Sequence, residues 1–194
     1  MHDIELGLML CGLADLPSLM LWSGRDARGP KAHVPKARAA MEERLPGLYF
    51  EEFYVGQKFV HAVRRTVTDM DNILFSALTH NPAAVHLDHE YAKTTEFGKP
   101  LMNSVFTLGL VVGLSVGDTT LGTTVGNLGW QDVRFPRPVF AGDTIRAETT
   151  VIEVRASKSR PGQGIVTFEH RGLNQNNEEV CICKRAGLML GKPK

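Results

Sequence analysis

From Tyr49 onward the apolar positions change their spacing in a way that separates strands from helices. Residues 57–67 (QKFVHAVRRTV) have strand composition and partial two-residue alternation, which predicts a strand. Thr68 then reads as an N-cap, with Asp69 and Asp71 in the first turn of a helix running through Leu78. Asn81-Pro82 breaks that helix, and Asp88 caps a short one within 88–95. Residues 103–116 (NSVFTLGLVVGLSV) are apolar on every side, so the expected helix leaves no face for water and should be enclosed all round. It is too short to span a bilayer. Four strand-like runs follow, near 123–135, 143–156, 163–173 and 179–190, with turn signals at Pro136–Gly142, Ser157–Gly164 and Asn174–Glu179. A strand, then helices, then consecutive strands predicts an α+β domain: an antiparallel sheet wrapped around a buried central helix.

Residues 1–47 follow no such pattern. The apolar run at 4–22 begins with Asp3 and Glu5, has no basic residue before Arg25, and is interrupted by Asp15 and Pro17. A secretory leader has a positive start and an unbroken apolar stretch, so neither a leader nor a membrane span is expected. The stretch that follows is rich in Gly, Ala, Pro and charge and reads as a linker, with a short helix expected at 36–44. The expected organisation is therefore an extension over 1–47 and one domain over 48–194.

Composition adds limits. Apolar residues are 43% of the 194, enough for a core. The 22 Lys and Arg against 21 Asp and Glu leave no global field to attract nucleic acid or anionic lipid. Three cysteines (Cys11, Cys181, Cys183) are too few and too unevenly spread for a disulfide framework or a four-ligand zinc site, and the expected location is cytoplasmic. Cys181 and Cys183 alternate in a strand and read as packing thiols.

The densest polar cluster runs from Thr79 to His89 (THNPAAVHLDH). Asn81 and His86 lie five apart across a proline turn, which can bring both side chains to one side. An imidazole titrates near neutrality, and beside a carboxamide it makes a water-activating pair. The plainer alternative is a satisfied histidine and an asparagine that caps a turn. Two other motifs carry less. Gly113-Leu114-Ser115-Val116-Gly117 matches a nucleophile elbow, but it falls inside an apolar helix rather than on a strand-to-helix turn. His80, His86, Asp88 and His89 have no second ligand group downstream beyond His170, so no metal is expected.

The run from Asn81 to Ser104 resembles the MaoC-like (R)-specific enoyl-CoA hydratases of the hot-dog fold. His86-Leu87-Asp88, then Ala92-Lys93-Thr94-Thr95-Glu96-Phe97-Gly98-Lys99-Pro100, then Asn103-Ser104 follow that family's motif without a gap. Val133-Arg134-Phe135-Pro136-Arg137-Pro138-Val139 and Gly142-Asp143-Thr144 resemble its strand-and-turn signature. Asn81 stands where the family has a catalytic Asp, and Ala83-Ala84 where it has Asn-Pro; a gapped match would put Thr79 on the Asp instead. A branch resembling mesaconyl-CoA and itaconyl-CoA hydratases carries Asn there and is similar around Asp71-Asn72-Ile73-Leu74-Phe75 and Ser157-Lys158-Ser159-Arg160-Pro161-Gly162.

The resemblance implies reversible hydration of a 2-enoyl-CoA with a short branched or dicarboxylic acyl group. It gives His86 the proton transfers, Asn81 a hydrogen bond to the water, and the backbone N–H near Ser104 the thioester oxygen. Lys99, Asn103, Arg64, Lys158 and Arg160 are candidate substrate-binding residues, with Arg65 and Arg155 beside them. No cofactor is expected, since coenzyme A is part of the substrate, and the expected partner is a second copy of the chain. A hot-dog thioesterase and a non-catalytic acyl-CoA-binding subunit remain alternatives.

Overall fold

The computed structural model describes residues 47–193. The short helix expected at 36–44 and nearly all of the expected extension lie outside these residues. Gly47 already belongs to the domain: its N–H donates to the Leu121 carbonyl at 3.0 Å, and the next N–H, on Leu48, donates to Thr119 at 2.9 Å.

A 3-10 turn at Phe50–Glu52 leads into β1 (Lys58–Thr66), then α1 (Asp69–Leu78), α2 (Ala84–Leu87), α3 (His89–Lys93) and α4 (Ser104–Thr119). Four strands follow among the described residues: β2 (Thr124–Arg134), β3 (Thr144–Ala156), β4 (Gln163–Leu173) and β5 (Glu179–Leu190). They form one antiparallel sheet in the order β1-β3-β4-β5-β2, so β1 and β2 are its edges. The expected strands and the caps of α1 and α3 are present. Thr68 accepts from the Asp71 N–H, and Asp88 accepts from Glu90 and Tyr91. The four-residue α2 has no apolar periodicity and was not expected.

The strands alternate as two-residue periodicity requires. Ile145, Ala147 and Val151 of β3, Val166 and Phe168 of β4, and Cys181 and Cys183 of β5 are buried. Each large aliphatic or aromatic residue among them contributes about 1.5–3 kcal/mol by leaving water. The helix α4 packs across β1, β3, β4 and β5. Gly172 allows its approach: a Cβ there would lie 2.3 Å from Val111 Cγ2.

The α4 helix departs from the sequence expectation. It buries one stripe, Thr107, Val111, Ser115 and Thr119, while Val105, Gly109, Gly113 and Gly117 on the opposite side are exposed. A five-stranded sheet covers one face of a helix, and no other described element covers the second. Ser115 is fully buried and donates to Val112 of its own helix at 2.7 Å, which removes it as a nucleophile.

A chain of polar side chains ties the far end of α4 to the sheet. Asp118 Oδ2 accepts from His61 Nδ1 at 2.8 Å. His61 Nε2 meets Thr149 Oγ1 at 2.8 Å, and Thr149 Oγ1 meets His170 Nδ1 at 2.9 Å. One donor order satisfies all three contacts: His170 to Thr149, Thr149 to His61, His61 to the carboxylate. Burial, and then the charge of Arg185, push the His170 imidazole down to about 3, so it is neutral. The hydrogen bond with Cys183, and then burial, push the Cys181 thiol up; Cys181 and Cys183 are free, buried packing thiols. Among the described residues no helix is long and apolar enough to cross a membrane.

Candidate active site

The turn after α1 is built by backbone bonds. His80 takes a left-handed conformation (φ 54°), its N–H donates to Ala77 at 3.2 Å, and the Asn81 N–H reaches back to Ser76 at 2.9 Å. This paired pattern ends the helix sharply and satisfies two of its terminal carbonyls. Asn81 Oδ1 then accepts from the Ala83 N–H at 3.0 Å, an Asx turn that starts α2. Within this turn the Asn81 oxygen serves the backbone, as the plainer reading anticipated, and its Nδ2 remains available as a donor.

His86 lies on α2 and is half-buried. Its Nδ1 is 2.7 Å from the Leu101 carbonyl. A carbonyl only accepts, so Nδ1 carries the proton and the neutral ring presents a bare Nε2 lone pair. Leu101 is three residues before Ser104, the first residue of α4. Asn103 caps that helix, its Oδ1 accepting from Val105 at 3.0 Å. The Ser104 N–H has no acceptor among the described residues. Such a free amide at a helix start, with the partial positive charge of the terminus behind it, suits a developing oxyanion.

Beside Ser104 a cavity of about 220 Å³ opens between the α4 start, the loop before it and the β2–β3 connection. Its lining is mostly apolar and includes Phe97, Met102, Phe135, Pro138 and Val139. The Met102 N–H donates to Val139 at 2.9 Å and closes this wall. One cation, Arg137, also lines the cavity, with its Nε 3.5 Å from Glu178. Among the described residues no three His, Cys, Asp or Glu side chains are grouped to hold a metal.

The expected binding residues separate into those near this region and those away from it. Lys99 follows Phe97 at the cavity and stacks on the Phe140 ring, Nζ to centroid 4.3 Å. Asn103 is 4% exposed, and its Oδ1 is engaged by the helix cap. Arg64 faces away from α4, in a polar recess of about 400 Å³ shared with Arg146, Asn174 and Asn177. Its neighbour Arg65 faces α4, pairs with Asp71 and lies 6.0 Å from the Phe106 ring centroid. Lys158 and Arg160 occupy the β3–β4 turn, at the end of the sheet where α4 finishes. A helix of 16 residues is about 24 Å long at about 1.5 Å per residue, so within one copy this turn is remote from Ser104. Arg155 pairs with Glu153 at 3.3 Å.

The model of the MaoC-like domain matches residues 52–172. The chain belongs to the MaoC-like family. It is similar to a mesaconyl-CoA hydratase of Cereibacter sphaeroides, 37% identical over 134 residues, covering 69% of this chain and 38% of that protein. A beta-methylmalyl-CoA dehydratase of Chloroflexus aurantiacus is 33% identical over 135 residues, covering 70% and 38%. This MaoC-like chain thus spans under two fifths of the length of these relatives. Among solved structures, a MaoC-like dehydratase from Rhodospirillum rubrum superposes with a TM-score of 0.66 at 29% identity, covering 76% of this chain and 100% of that one. A Mycobacterium tuberculosis protein with a double hot-dog fold superposes with a TM-score of 0.70 at 23% identity, covering 78% and 46%. The fold of this MaoC-like chain is the hot-dog fold, α+β with the helix laid across the sheet.

Two features of the site were not legible as site residues. The Leu101 group is a backbone carbonyl, which no side-chain pattern announces. Asn72 had a signal, a polar residue inside an otherwise periodic helix, but its partners lie 14 to 31 residues away.

Proposed function

We propose that this chain hydrates a 2-enoyl-CoA, or dehydrates the corresponding 3-hydroxyacyl-CoA. The observation that carries the reading is the His86 Nδ1–H bond to Leu101, which leaves Nε2 as a base on a ring anchored three residues before a free helix-terminal amide. In the forward direction His86 Nε2 takes a proton from water as the oxygen bonds to C3. The electron pair moves onto the thioester oxygen, which the Ser104 N–H holds. The imidazolium then returns a proton at C2, so no co-reactant is consumed. Asn81 Nδ2 donates to the same water. Acid–base catalysis of this kind contributes about 10²–10⁴-fold, and one oxyanion donor about 3–4 kcal/mol.

The finer reading is a short, branched acyl group ending in a carboxylate. The relatives named for mesaconyl-CoA and beta-methylmalyl-CoA support it, as does a small apolar cavity with a single arginine, Arg137, in its lining. A second copy of the chain covers the open edge β2, and the site then lies within a homodimer working without a cofactor beyond its substrate's coenzyme A.

The test is a panel of CoA esters followed at the thioester enone absorbance. Mesaconyl-CoA should exceed crotonyl-CoA in kcat/KM by about tenfold or more, the worth of one charge-assisted hydrogen bond. The variant Arg137→Leu should bring the two together. Preference for crotonyl-CoA would remove the dicarboxylic reading, and release of free CoA from saturated esters would replace the hydratase by a thioesterase.

A further inference from the structure

Asn72 occupies the fourth position of α1, where asparagine is a poor helix former and an aliphatic side chain would suit a buried site better. It is 2% exposed. Its Nδ2 donates to the His86 carbonyl at 2.8 Å and to the Leu101 carbonyl at 3.0 Å, and its Oδ1 accepts from the Asn103 N–H at 2.8 Å. Two carbonyls on one end and an N–H on the other fix the amide's orientation.

These partners belong to the separate parts of the site. His86 carries the base, and Asn103 caps the helix whose first N–H faces the oxyanion. Leu101 O is the atom that also receives the His86 Nδ1 proton, so its two lone pairs are both used. We infer that Asn72 is the positioning residue of this site: by holding the Leu101 carbonyl where His86 Nδ1 donates to it, Asn72 keeps the His86 tautomer, and it ties the base to the start of α4. A leucine would fill the space and hold neither.

The activity arm of the test rests on the hydratase reading; the spectroscopic arm does not. Asn72→Asp keeps the size, but its ionised form turns a carboxylate toward two carbonyls. ¹⁵N NMR of His86 near pH 8 should show the wild-type ring protonated at Nδ1 with a bare Nε2. In the variant the Nε2–H form should appear. The variant's kcat should fall about 10²-fold, as expected for a displaced catalytic group, while KM changes less than about threefold. Its activity optimum should move to lower pH, because only a protonated carboxyl can donate to one of the carbonyls. An unchanged tautomer would overturn the inference. So would a kcat that falls only in step with the folded fraction and keeps the wild-type pH profile. If wild type hydrates no ester, the tautomer measurement still decides for or against Asn72, and the proposed function alone is lost. Should the Asp variant fail to fold, Asn72→Ser, smaller and uncharged, carries the same tautomer test.

Discussion

At the scale of single residues the site depends on groups that sequence patterns describe unequally. His86 is visible as a histidine in a polar turn, but its tautomer comes from a backbone carbonyl 15 residues on. Asn81 is visible too, and its oxygen turns out to hold the Ala83 N–H. The Ser104 N–H can be tested alone because it is the first residue of α4. Proline is tolerated there, and Asn103 before it already has a ψ of 123°, outside the helical range and compatible with a following proline. Ser104→Pro should therefore lower kcat about 10²–10³-fold with little change in melting temperature. Ser104→Ala, which keeps the N–H, should stay near wild type. Equal activity of the two variants, each confirmed folded, would show that this amide does not meet the thioester oxygen.

At the scale of elements, the strands and capped helices were readable because each is specified locally. Thr68 and Asp71 set the start of α1, Asp88 sets α3, and alternation sets β3 to β5. The surroundings of α4 were not readable, since an apolar helix reports that its faces need cover without saying what supplies it. Here the sheet covers one face, and no other described element covers the glycine side. Among the described residues the edge β2 likewise pairs on one side only, and Val125, Leu128, Trp130 and Val133 are all more than a third exposed. Such an edge invites pairing with another strand. Sedimentation should show a dimer for the wild type and a monomer for the double variant Leu128→Lys, Trp130→Lys. A folded wild-type monomer at micromolar concentration would remove β2 as a dimer edge.

At the scale of the molecule the hot-dog arrangement explains how a four-residue helix becomes a candidate active site. The sheet fixes α4, α4 fixes its free first amide, and Asn72 bolts α1 and α2 to that same point. The far end is held separately, by the Asp118–His61–Thr149–His170 chain. Charges in the β3–β4 turn stay distant within one copy, which sequence proximity could not reveal. The most direct measurement compares His86→Ala with wild type on whichever enoyl-CoA wild type hydrates best, with circular dichroism confirming the fold. The account predicts a loss of about 10²–10⁴-fold in kcat; hydration surviving within about tenfold of wild type would contradict it.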